Sequence, residues 1–220
     1  MEQNKGAARG ILAIWNDCRP GTQREYEAWY RGEHLPERLS VPGFRAAWRF
    51  RAIEGQPEYF TFYETVDPEV LFSAAYEMRV NDPSALTQRI MSGVFTNATR
   101  ALLTSTASWG MLRGAFAVSL RFDTPPGAAL DDCLATLAGR EDVLRAEVWR
   151  STRPAAPAVL SAEQKLRGPD KSVAAAGVVE TLSEPEARAV AAAVRETLAA
   201  DAQVGIYRLF CSLHREDLRG

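Results

Sequence analysis

The chain has 220 residues, 46% of them hydrophobic, with 26 basic side chains set against 28 acidic ones. That length and apolar content can bury one large core or two cores of roughly 100 residues each. The nearly cancelling charge lacks the one-signed patch that a nucleic acid or a membrane surface demands, so neither is an expected partner.

Gly10 to Asn16 is a short apolar run closed by the turn-like stretch Asn16 to Gly21, and it reads as a strand. From Thr22, with Glu25 three positions on, Tyr26, Trp29, Tyr30, Glu33 and His34 keep the spacing of one helical face. Pro36 restricts Leu35, so this helix is predicted to loosen near His34. Phe44 to Ile53 then alternates, with Phe44, Ala46, Trp48 and Phe50 on one face and Arg45, Ala47, Arg49 and Arg51 on the other. After a turn at Glu54 to Pro57, Phe60 and Phe62 alternate with Tyr59, Thr61 and Tyr63, which makes the pair a hairpin. Asp67-Pro68-Glu69 caps a helix to about Met78 that resumes from Ser84 to about Phe95, and Arg100 to Trp109 forms a closing strand.

The second half repeats the order: strand Ala115 to Phe122, helix Ala128 to Gly139, strands Val143 to Thr152 and Ser172 to Leu182, helix Glu184 to Ala200 and strand Val204 to His214. The predicted class is therefore α+β: tandem ferredoxin-like βαββαβ repeats, residues 1–110 and 111–220, whose antiparallel sheets cover each other as one α+β barrel. Residues 153–170 have no counterpart in the first half and read as a long hairpin loop, a candidate flap over a cavity.

In this arrangement the aromatic set of the first hairpin is expected under its helices. Arg45, Arg49, Arg51, Tyr59, Thr61 and Tyr63 would then face the second sheet. There the arginines either meet acids such as Glu147 and Glu180 or line a wet pocket for a polar or anionic small molecule. The second half offers only Ala115, Ala117 and Ser119 to that face, so any site belongs to the first half.

His34 lies near a helix C-terminus, where the dipole favours the imidazolium and raises the pKa, and it is the candidate acid or base. Tyr59 and Tyr63 are candidate donors to a developing enolate. Arg45 and Arg49 are candidate anion ligands. Tyr26 and Tyr30 share the stripe of His34, and Trp15 closes the first strand at the barrel mouth. Arg38 and Glu33 flank the histidine and could orient it or hold a carboxylate, or stay solvated. His214 reads as a surface histidine.

Cys18, Cys133 and Cys211 are widely spaced and odd in number, which argues for buried thiols over disulfides or zinc, and no metal-ligand spacing occurs. No Walker loop, dinucleotide fingerprint or hydrolase elbow is present. Met1 to Gly10 is polar and no apolar run reaches membrane-span length, so a cytoplasmic location is expected.

The segment Trp29-Tyr30-Arg31-Gly32-Glu33-His34-Leu35-Pro36-Glu37-Arg38, followed by Val41-Pro42-Gly43-Phe44 and the arginine-rich strand, resembles the dimeric α+β barrel superfamily. Within it the likeness is to the EthD-like group and its muconolactone-isomerase and polyketide-cyclase relatives. It covers roughly the first 105 residues in motif. The resemblance implies a barrel that other members close by dimerising and this chain closes internally; a homodimer of intact chains stays open. It also implies a pocket-facing role for His34 and a reaction without cofactor, although some relatives of the fold bind haem.

The leading expectation is a cofactor-independent lyase or isomerase that moves a proton on a small carboxylated or aromatic-derived metabolite. The alternatives are a non-catalytic binding protein and a cofactor-free or haem-dependent monooxygenase.

Overall fold

The computed structural model describes residues 8–151, 160–168, 170–171, 173–198 and 202–218. Its first half runs β1 (Arg9–Cys18), α1 (Gln23–Trp29), a π-helical turn (Tyr30–His34), α2 (Leu35–Ser40), β2 (Phe44–Glu54), β3 (Tyr59–Thr65), a 3-10 turn (Pro68–Phe72), α3 (Ala74–Asn81), α4 (Ala85–Gly93) and β4 (Phe95–Trp109). The second half runs β5 (Phe116–Phe122), α5 (Ala129–Ala138), β6 (Arg145–Arg150), α6 (Ala162–Arg167), β7 (Ala175–Thr181), α7 (Glu184–Leu198) and β8 (Gln203–His214).

The strands pair antiparallel in the closed order β1-β3-β2-β8-β5-β7-β6-β4, with β4 returning to β1. Each half thus contributes its strands in the order fourth, first, third, second, and the halves join at β2 with β8 and at β4 with β6. No helix among the described residues is long and apolar enough to cross a membrane.

The first helix does not stop at the proline. Leu35 N–H reaches back five residues to the carbonyl of Tyr30, and the chain continues as α2 to Ser40. Pro36 has no N–H to donate and its ring needs room, which the widened π turn provides. Asp67 caps the 3-10 turn by accepting from Glu69 N–H, and Ser73 and Ser84 cap α3 and α4 in turn. The stretch expected as a loop contains α6, opened by a capping box between Ser161 and Gln164. Of that expected flap, residues 153–159 and 169 fall outside the described residues.

The period-two pattern holds along β2 and β3, but the faces are the reverse of the expectation. Trp48, Phe50, Phe60 and Phe62 point into the barrel, where they pack with Trp15, Trp149 and Tyr207; Phe44 alone, beyond a bulge in β2, lies under the helices. Trp15 stacks on Phe60 at 5.1 Å, its cross-strand partner. Arg49, Tyr59, Thr61 and Tyr63 instead lie on the outer face, beneath the helices. Alternation says which residues share a face, not which face is inward. An eight-strand lumen must be filled by bulky side chains, and α1 supplies aromatic rings that suit a buried cation.

The interface arginines also differ from expectation. At one end of the barrel Glu64, Glu147 and Glu180 are met by Arg9, Arg113 and Arg145, not by the arginines of β2. Trp149 Nε1–H also donates to Glu147, at 3.0 Å. Burial pushes the Glu147 carboxyl up, but Arg113, Arg145 and Arg9 outweigh it and hold the group at about 2.

Candidate functional site

Two strands and one bent helix build the site. Arg49 on β2 stands opposite Thr61 on β3, with Tyr63 opposite Ala47 and Tyr59 opposite Arg51, so Arg49 and the tyrosines project from one outer face. Above them lie Tyr26 and Trp29 from α1, Tyr30 and His34 from the π turn, and Arg38 and Leu39 from α2, all buried. The extra residue in the π turn rotates the helix so that Tyr30, His34 and Arg38 all meet the sheet.

Arg49 is fully buried and held by its neighbours at both terminal nitrogens, while its Nε has no hydrogen-bond partner. It donates to Glu27 at 2.8 Å and to Thr61 at 3.2 Å, and its guanidinium lies 3.7 Å from the ring centre of Tyr30, 4.5 Å from Tyr59 and 5.0 Å from Tyr26. Three aromatic faces and one carboxylate replace its water. Tyr26 is fixed in turn by Asn16 Nδ2–H, which donates to its hydroxyl at 2.5 Å.

His34 packs on Trp29 at 4.3 Å and edge-on to Tyr30 at 5.0 Å. Neither flanking acid reaches it: Glu33 accepts from Ser84 and Thr87, and Glu37 pairs with Arg79. Burial, then the charges of Arg38, Arg49 and Arg167, lower its pKa well below the ordinary histidine value. The helix-dipole expectation of a raised value is overturned, because desolvation and three like charges exceed the effect of a helix end. His34 is therefore a neutral imidazole at pH 7.

Among the buried polar atoms in this region without a hydrogen-bond partner are His34 Nδ1, Tyr30 Oη, Tyr63 Oη and Arg38 Nη1, with Arg49 Nε and Glu27 Oε2 beside them. Each costs about 1–3 kcal/mol if left unmet, so their gathering in one place points to a ligand. Tyr30, His34 and Arg38 line a cavity of about 20 Å³ together with Tyr76 and Arg100. Tyr63 lies beside them, and burial raises its phenol pKa well above the usual value, with Tyr30 adding and Arg38 opposing. Burial likewise keeps Tyr26 and Tyr59 protonated. Helix α6 roofs the cavity: Glu163 pairs with Arg38, and Arg167 with Asp170.

The structure thus brings together His34, Tyr26, Tyr30, Arg49, Tyr59 and Tyr63. It does not bring Arg45, which is exposed, or Trp15, which is inside the barrel and donates to Ser119 at 3.0 Å. His214 is exposed at the end of β8. Missed in the sequence were Glu163 and Arg167, whose distance along the chain hides them, and Tyr76 and Arg100, whose elements gave no local sign of the cavity.

Among the described residues no cluster of His, Cys, Asp and Glu could hold a metal ion. Nor do the residues fit a haem. The arginine charges that oppose protonation of the His34 imidazole oppose a ferric ion by the same sign.

No family model matches the sequence, and no curated protein matches it. Solved structures do match over nearly the whole chain. An anthrone oxidase-like protein superposes with a TM-score of 0.60 at 10% identity, covering 100% of this chain and 99% of the other. This chain shares the α+β barrel fold of that protein. A candidate chlorite dismutase shares the barrel with a TM-score of 0.55 at 11% identity over 93% and 96% of the two chains. A candidate monooxygenase from Fusobacterium nucleatum subsp. nucleatum does so with a TM-score of 0.51 at 9% identity over 96% of each.

Proposed function

We propose that this chain is an enzyme that activates a small enolisable or phenolic molecule for reaction with dioxygen, working without a bound cofactor beneath α1, α2 and α6. The observation that carries the reading is His34: a buried, neutral imidazole with Nδ1 free, beside the unpartnered hydroxyls of Tyr30 and Tyr63 and the free Nη1 of Arg38. A neutral imidazole can take a proton at neutral pH, and phenols and a guanidinium stabilise the anion that forms. The fold-level likeness to oxidase-like and monooxygenase-like proteins supports oxygen as the second reactant.

For a ketone of the anthrone type, His34 Nδ1 takes a proton from the methylene carbon, and the C–H electron pair becomes an enolate. Its oxygen accepts hydrogen bonds from Tyr63, Tyr30 and Arg38. Dioxygen adds to the electron-rich carbon, the proton returns from His34 to give a hydroperoxide, and loss of water leaves the quinone; anthrone and O2 become anthraquinone and water. Arg49 and Tyr26 hold Tyr30 in place, and Tyr59 walls the pocket. A cavity of about 20 Å³ admits roughly one water, so substrate entry requires α6 to lift. We also infer that residues 1–110 and 111–220 are two copies of one unit, of which only the first kept a site.

The test is oxygen uptake with anthrone and related phenolic ketones, before and after treatment with a chelator. Expected is one O2 per ketone, unaffected by the chelator and lost in His34→Gln. Proton exchange at the methylene without oxygen uptake would replace this reading with the lyase or isomerase one. Saturable binding without either would leave a binding protein.

A further inference from the structure

At the end of the barrel opposite the Glu64–Glu147–Glu180 cluster, a cavity of about 540 Å³ opens between the β2–β3 hairpin, the start of β4, the end of β5 and the start of β8. Its walls are mixed in polarity: Gln56, Asn97, Thr99 and Gln203 offer amides and a hydroxyl, and Arg121, Lys171 and Asp123 carry charge. Pro57 and Val173 are the apolar residues of its lining, and the alkyl stems of the polar residues add to their surface.

Arg121 is the unusual member. It is 7% exposed, stacks on the Trp15 ring at 5.1 Å and donates one N–H to the Gln56 carbonyl at 3.1 Å. Among the described residues it has no ion pair, whereas the other buried arginines, Arg38, Arg49 and Arg145, each have a glutamate. A buried guanidinium normally requires such a partner. In keeping with this, burial pulls its pKa below the usual arginine value, with Tyr207, Asp123 and Asp17 only partly opposing.

The nearest acids are engaged elsewhere. Asp123 accepts from Gln203 at 3.4 Å, while Asp17 accepts from Glu58 N–H at 2.6 Å and from Asn97 at 2.7 Å. Lys171 spends one donor on Asn97 at 3.1 Å and keeps the rest. Two cations against one carboxylate leave the lining with a single unmatched positive charge.

We propose that this barrel mouth is a second ligand site, separate from the His34 pocket, that binds a small hydroxylated carboxylate such as a sugar acid. Arg121 presents its fork to the carboxylate and Lys171 adds a point charge. Gln56, Thr99 and Gln203 meet the hydroxyls. The volume suits an organic molecule rather than a bare inorganic ion.

The experiment is calorimetric titration of the full chain with gluconate, with neutral sorbitol and inorganic phosphate as controls. Gluconate is expected to bind at one site, at least tenfold more tightly than either control, and more weakly as salt rises from about 0.05 to 0.5 M. Arg121→Gln should weaken it at least tenfold and Lys171→Gln several-fold, whereas His34→Gln should bind it as the unaltered chain does. Should Arg121→Gln fail to fold, the exposed Lys171→Gln still decides. Absent gluconate binding, equal affinity for sorbitol or phosphate, or indifference to both substitutions would overturn the proposal.

Discussion

The two helix layers of this barrel rest on sheets with the same strand order, yet they are filled differently. Under α5 and α7 the packing is aliphatic: Leu130, Leu134, Leu137, Val190 and Val194 close over Val118, Leu120, Val148 and Val179. The fit is tight enough that a methyl group on Gly177 would lie 3.1 Å from Leu134 and 3.2 Å from Leu130. Under α1 and α2 the corresponding space holds His34, Arg38, Arg49 and a set of tyrosines, with polar atoms left unpartnered. A layer needed only for stability is dry and well matched, since every unmet polar atom costs free energy. The first layer carries that cost, and the proposed site is assigned there for that reason.

The sharpest way to break this contrast is His34→Gln. It should lower oxygen-dependent turnover by roughly 10²–10⁴-fold while the melting temperature hardly moves, as paired oxygen-electrode and calorimetric measurements would show. Leu134→Ala should do the opposite. Urea unfolding should report a loss of about 2–5 kcal/mol, with turnover of the folded fraction unchanged.

Acid should separate the layers next. His34 binds its proton more weakly folded than unfolded, so stability is untouched above about pH 6.5 and falls below it, by up to about 1.4 kcal/mol per pH unit. Hydrogen exchange at pH 5.5 should therefore accelerate in α1 and α2 before α5 and α7, and His34→Gln should abolish the difference. A uniform response would refute the assignment. Glu147 acts in a lower window: its folded value of about 2 gives stability that is present above about pH 4.5 and lost as pH falls toward 2.

The smallest effect on stability is expected from Tyr63→Phe. Its hydroxyl has no partner, so removal should change unfolding free energy by less than about 1 kcal/mol, or raise it, while slowing turnover. A large destabilisation would mean that the hydroxyl is satisfied within the protein and is not waiting for a substrate.

Much of this was legible in one chain. Alternation along 44–53 and 59–63 assigned the hairpin and its shared faces, and the spacing of Tyr26, Tyr30 and His34 put them on one helical stripe, because strand and helix periods are local consequences of backbone geometry. The order of elements, repeated in the second half, yielded the barrel.

Tertiary structure alone decided which face of the hairpin turned inward. Closing eight strands creates a lumen that Trp48, Phe50, Phe60 and Phe62 fill, and this sends Arg49 and Tyr63 out to the helices. It also decided that His34 is neutral, since its pKa depends on Arg38, Arg49 and Arg167 drawn from three separate elements. The pairing of Arg38 with Glu163 and the isolation of Arg121 at the barrel mouth have the same origin. Desolvation and long-range pairing exist only once distant segments have been brought together, and no period in the sequence encodes them.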